Sequence, residues 1–139
     1  KMQIIINTIE HQGEDIVVNC DLDIGMLKGI WKGKSPPILN SHYYVELTLD
    51  DLIPEQIKML PRNKNYIIGV KVKNNDVLFA GICEDYDGEI YYIRFECDWL
   101  EMIAIKEDAQ SIHLEDNVLF WLDYHQVQIF PYDMPKRNS

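Results

Sequence analysis

The chain has 139 residues, 47% of them hydrophobic, and a formal net charge of −10 at pH 7. That length fits a single domain, which at this size buries about two-thirds of its unfolded surface without needing disulfides or metals. The apolar content excludes a disordered or fibrous chain, and no apolar run approaches the roughly 20 residues of a membrane-spanning helix.

Nearly every segment alternates apolar and polar residues with a period of two and is rich in β-branched and aromatic types, which predicts strands. Residues 2–9 form the first, followed by 15–22 with Ile16, Val18, Cys20 and Leu22 on one face. A third covers 25–31 despite its glycines. Residues 32–40 are a loop, because Pro36 and Pro37 cannot continue a ladder. Residues 43–49 alternate cleanly, with Tyr43, Val45, Leu47 and Leu49 opposite Tyr44, Glu46 and Thr48. Pro54 at a first helical position and Glu55 in a first turn predict one short helix over 54–60, stopped by Pro61.

A meander follows. Residues 66–73 and 77–84 join through Asn74-Asn75, and 89–96 return after Asp87-Gly88, the strongest hairpin signal in the chain. Residues 99–105 fit a strand or a short helix. A connection is expected over 108–115, then a last hairpin of 118–123 and 126–131, and a frayed tail over 134–139. The expected fold is therefore mainly β or α+β: one domain over 1–139, a small antiparallel barrel or sandwich with one short helix. Asp116-Asn117-Val118-Leu119-Phe120 and Val127-Gln128-Ile129-Phe130-Pro131 carry a strand pattern over 66–131 that resembles a small barrel of the OB or SH3-like kind.

Little here points to catalysis. His11, His42, His113 and His125 are scattered, and no CxxC, HxH or HExxH occurs, so neither metal nor cofactor is expected. The acids of 84–89 lie in a hairpin turn rather than between the helices of a calcium loop. No serine sits in a GxSxG elbow, and Gly25, Gly29 and Gly33 lack phosphate-loop spacing. No enzyme is expected. Cys20, Cys83 and Cys97 are an odd, widely spaced set, as in the reduced thiols of a cytoplasmic protein, and no secretory signal is seen.

Charge is the informative feature. Residues 1–75 balance nine acids with nine bases, whereas 76–123 hold thirteen acids against Arg94 and Lys106 alone. Such a field repels phosphates, so neither nucleic acid nor membrane is an expected partner, even though Trp31, Tyr43, Tyr44 and nearby lysines could stack on bases. It attracts a basic protein. The partner-binding residues expected are Glu84, Asp85, Tyr86, Asp87, Glu89 and Tyr91 around the hairpin turn, with Glu107, Asp108, Glu115 and Asp116 beyond it. Tyr91 and Tyr92 point to opposite faces of their strand, so one belongs to the core and the other beside the turn carboxylates.

The acidic run at 84–89, Glu107-Asp108 and Glu115-Asp116, on a compact body without catalytic motifs, resembles the immunity proteins of bacterial contact-dependent or polymorphic toxin systems. The resemblance implies a cytoplasmic inhibitor that binds a basic, nuclease-like toxin one to one. The alternative expectation is a structural or adaptor β-module of a larger bacterial or phage assembly.

Overall fold

The structure is a computed structural model that describes residues 2–106 and 116–132. It is mainly β. Eleven strands follow one another as β1 (Met2–Gln12), β2 (Asp15–Leu22), β3 (Gly25–Trp31), β4 (His42–Leu49), β5 (Ile57–Leu60) and β6 (Gly69–Lys73), then β7 (Asp76–Tyr86), β8 (Ile90–Glu96), β9 (Trp99–Ala104), β10 (Asn117–Asp123) and β11 (Val127–Pro131). Alternation dictates the faces as expected: in β4, Val45 and Leu47 are buried while Tyr44, Glu46 and Thr48 are exposed. The tight turns fall where the backbone can turn left-handed, at Gly13 (φ 61°), Asn74 (φ 56°) and Gly88 (φ 98°).

Five strands close on themselves. β1 pairs with β2 and β4, β2 with β3, and β4 with β11. β11 then meets β3 in parallel, Gln128 opposite Ile30 and Ile129 opposite Trp31. The ring β1-β2-β3-β11-β4, with that single parallel seam, has the strand order of an OB-type Greek-key barrel. The barrel-like pattern in the sequence is thus displaced: the closed barrel uses residues 2–49 and 127–131, not 66–131.

The remaining strands are grafted onto one edge of β3. There Gly25 lies in parallel register with Val70 of β6, and β6 leads to β7, β10 and β5. Ile82 of β7 pairs with Asn117 of β10 on one side and Arg94 of β8 on the other, so β8 continues the edge that β6 begins. β9 pairs with β8. The end of β9 is tied back to the segment after β4: the Leu52 N–H donates to the Ala104 carbonyl (2.9 Å) and the Lys106 N–H to the Leu52 carbonyl (2.7 Å). Rings fill this half, with Phe79 stacked on Phe120 at 4.8 Å and Phe95 on Trp99 at 4.6 Å. Among the described residues no helix is long and apolar enough to cross a membrane.

Two expectations change and one open choice is decided. The helix over 54–60 shrinks to a 3-10 turn, Pro54–Gln56, because residues 57–60 instead pair with an edge of β10, from Ile57 opposite Phe120 to Leu60 opposite Asn117. The segment from 99, open between helix and strand, is a strand through Ala104. The last hairpin does not form. A 3-10 turn at Tyr124–Gln126 carries the chain from β10 in the grafted sheet to β11 in the barrel, and the two strands pair with different neighbours.

Gly25 has φ 137°, and a Cβ there would run into the Val70 carbonyl oxygen. Gly13 has φ 61° and open space around it. G25A is expected to cost at least ~2 kcal/mol and G13A about 1 kcal/mol, since only the former adds a backbone clash to left-handed strain. Urea melts of both variants measure this, and equal losses would refute the close β3–β6 approach.

Candidate functional site

The β7–β8 hairpin projects the expected acidic tip, and its chemistry is set by the donors around it. Asp87 Oδ1 accepts hydrogen bonds from the Glu89 N–H (3.0 Å) and the Ile90 N–H (2.8 Å), and its Oδ2 accepts from the Tyr92 hydroxyl (3.0 Å). The Ile90 and Glu89 amides, then Tyr92, hold its pKa below the usual carboxylate range. Glu84 takes a bidentate Arg94 guanidinium, Nε to Oε2 at 2.8 Å and the terminal nitrogen to Oε1 at 3.0 Å, which lowers its pKa as well. Arg94 also donates to the Cys97 carbonyl at 3.1 Å, fixing the fork. Tyr86 stacks on Tyr91 with centroids 4.3 Å apart and donates its hydroxyl to the Gly88 carbonyl.

Two of the four tip carboxylates are therefore spent inside the chain. Among the described residues the Asp85 carboxylate accepts from the Tyr86 N–H (2.8 Å), and Glu89 has no ion pair. Tyr86 remains 40% exposed. Tyr91 requires a correction: at 2% exposure it is the core member of the tyrosine pair, because its face of β8 also carries Ile93 and Phe95. It supports the Tyr86 ring from beneath and cannot meet a partner. Asp116 is half-buried at the foot of the hairpin, where its carbonyl accepts from the Cys83 N–H (3.0 Å). Glu107, Asp108 and Glu115 lie outside the described residues.

The other acids of 76–123 are spread along the grafted sheet. Asp76 and Asp123 face each other at the end of β7 remote from the tip, where Lys73 also pairs with Asp76. Glu96 and Asp98 flank the β8–β9 turn, near Asp23 of the barrel half. The hairpin tip is the place where expected site residues gather. Cys20 and Cys83 are buried free thiols and Cys97 is exposed. His125 Nδ1 lies 2.6 Å from Asp123 Oδ1, but both side chains are on open surface, 55% and 42% exposed. No group of three or more His, Cys, Asp or Glu suited to a metal occurs among the described residues.

A second acidic locus was not anticipated. Residues of β4 and β9 line a cavity of about 310 Å³, with Leu47, Trp99, Met102 and Tyr132 together with the acidic Glu46, Asp98 and Glu101. Glu101 is only 8% exposed because it occupies the inward face of β9, between Trp99 and Ile103. Burial pushes its pKa up to about 8, the nearby Trp99 indole pulls it down, and the negative charge of Glu46 adds to the rise. The Trp99 indole N–H lies beside the Glu101 carboxyl, but among the described residues it meets no acceptor in full hydrogen-bond geometry. A signal existed in the sequence. Once 99–104 is read as a strand, Glu101 falls on its apolar face, where a carboxyl has to be accounted for.

No protein-family model, curated protein or solved structure matches the chain.

Glu101 binds its proton more tightly when folded than in the unfolded chain, where it titrates near 4.5. Its contribution to stability is complete below about 4.5 and is lost as pH rises towards about 8. Urea midpoints are expected to fall through that window, with a slope of up to ~1.4 kcal/mol per pH unit. In E101Q most of that fall should disappear, leaving the smaller part due to Glu96, whose pKa burial also raises, and an unchanged slope would show that Glu101 is not the titrating group.

Proposed function

We propose that the chain is a protein-binding inhibitor that neutralises a basic partner, an immunity protein acting on a nuclease-like toxin. The observation that carries this reading is the hairpin tip. Asp85 and Glu89 are presented beside a half-exposed Tyr86, on a turn already locked by Asp87 and by the Glu84–Arg94 fork. A tyrosine anchor flanked by carboxylates suits a lysine- or arginine-rich surface, and a turn rigid before binding loses little entropy on association. The acids elsewhere on the sheet are too scattered to share one contact patch. They act at long range, drawing a cationic protein in, while the tip supplies contact.

The adaptor reading is favoured by a different feature. Around the β3–β4 loop and β11 a groove of about 560 Å³ is lined by Trp31, Ile38, Tyr43, Phe130 and Tyr132, with Ile38 63% exposed and Phe130 40%. Exposed apolar groups gathered this way mark contact surfaces on soluble proteins.

Charge reversal at the tip separates the two. The immobilised chain should capture a basic protein at low salt and release it at high salt, and D85K/E89K should capture at least tenfold less, as expected when charges that face a partner are reversed. The captured protein, identified by mass spectrometry, should have a nuclease activity that the wild-type chain inhibits. Salt-insensitive capture that survives D85K/E89K would overturn the inhibitor reading in favour of the apolar groove.

A further inference from the structure

The cavity between β4 and β9 has features that a merely tolerated void would lack. Among its lining residues is a carboxyl, Glu101, only 8% exposed, whose neighbouring hydrogen-bond donor among the described residues is the Trp99 indole. Beside it the Trp99 indole N–H meets no acceptor in full hydrogen-bond geometry among the described residues. A buried carboxyl without a counter-charge, next to an indole N–H that it does not fully engage, is costly, and such a cost commonly marks a place where something else completes the bonding. Glu46, at the rim on β4, adds a second negative charge, and no lysine, arginine or histidine is among the lining residues. Leu47, Met102 and the ring of Tyr132 supply the apolar part of a lining that is otherwise mainly polar. About 310 Å³ is at the lower end of the range of small-ligand sites.

We propose that this cavity is a binding site for an organic ammonium ion, an alkyl stem against Leu47, Met102 and the Tyr132 ring and its charged nitrogen on the Glu101 carboxylate. The cation supplies the counter-charge that the cavity lacks, and the carboxylate it stabilises becomes an acceptor for the Trp99 indole N–H. No bond is made or broken. The one transfer is of the Glu101 proton, which passes to solvent when the cation binds. The titratable groups facing Glu101 are Glu46 from β4, Asp98 from the β8–β9 turn and Tyr132 after β11. None of them carries a positive charge that would compete with the ligand.

The site stands apart from the inhibitor reading. Glu101 is in register with Ile93, five residues along β8 and its turn from Gly88, so the two loci are roughly 17 Å apart along the ribbon. Tip substitutions should therefore leave the cavity intact, and cavity substitutions the tip.

The test is a titration of the full chain with n-butylammonium, n-butanol and Nα-acetyl-lysine N-methylamide, followed by NMR on the Trp99 indole N–H and by calorimetry. Saturable n-butylammonium binding should shift that resonance downfield. Affinity should rise about tenfold per pH unit from pH 6 towards 8 and then level off, as expected for a site that must lose a proton first. E101Q should bind at least tenfold more weakly, and E46Q, a rim change that leaves the core untouched, several-fold more weakly. D85K/E89K should bind like the wild type. Comparable binding of the lysine derivative identifies a protein side chain as the source of the ammonium group, whereas binding of n-butylammonium alone identifies a free amine. Absence of saturable binding at pH 8.5, equal binding of n-butanol, or pH-independent affinity would overturn the proposal whether or not E101Q folds.

Discussion

The architecture depends on how β3 divides its outer edge. At its end, Ile30 and Trp31 accept β11 in parallel and close the barrel, while at its start Gly25 hands the same edge to β6 and so to the grafted sheet. Both contacts need a backbone without a side chain. A Cβ on Gly29 would lie 2.7 Å from the Val127 carbonyl, and one on Gly25 would meet Val70. Everything after residue 52 hangs from this division. The chain leaves the barrel after β4, builds six strands elsewhere, and must return through the Tyr124–Gln126 turn at the right height to become β11. Gln56 helps fix that height: its amide donates to the Trp121 carbonyl (3.1 Å) and to the Gln126 side chain (3.3 Å), joining the chain's exit to its return.

The division also creates the cleft. The grafted sheet is anchored at β3 and tied again where Leu52 meets the end of β9, and residues of β9 and β4 line one cavity without the two strands pairing. Apolar side chains on both walls would let such a gap close. Glu101 opposes closure, since a carboxyl pressed against Leu47 without water or a partner is worse placed than one at the edge of a cavity. The strand accepts a destabilising residue on its inner face, and the loss is contained because Trp99, Ile103 and Phe95 keep the surrounding core dense. Sites of binding are where such local conflicts between pattern and fold are expected.

Period-two alternation was enough to read nearly all strands, including β4 face by face and the β6–β7–β8 meander, because each of these depends on neighbours only a few residues away. The errors share a different origin. Whether residues 57–60 become helix or strand is decided by an available edge of β10, sixty residues on, and no local propensity carries that information. Val127 follows a turn just as a hairpin partner would, yet its strand pairs with β3 and β4 because the barrel lacks a fifth strand without it. The barrel pattern was likewise assigned to the wrong half, since short alternating strands look alike wherever they lie. At the site, the acidic tip was visible as a composition feature. The role of Tyr91 was not, because alternation shows that one of two adjacent tyrosines is inside but not which. Glu101 was hidden by the open choice between helix and strand, for only the strand period puts it beside Trp99 and Ile103.

The distribution of carboxylates shows why an acid count is a poor measure of a binding surface. A carboxylate is available to a partner only when its own chain has not already supplied donors, and donors here are local: two backbone amides and Tyr92 at Asp87, and a guanidinium at Glu84. Arg94 contributes by rigidifying the tip while cancelling one of its charges, so the hairpin gives up net charge for shape. What remains separates into two physical effects of different range. The whole excess of negative charge acts over a Debye length of about 8–10 Å, and under the proposed function it would govern how fast a cationic protein arrives. In the proposed complex Asp85, Glu89 and Tyr86 would act by contact and govern how slowly the partner leaves. Salt weakens the first strongly and the second much less, so association and dissociation rates measured against ionic strength resolve the scattered acids from the tip even though both carry the same sign.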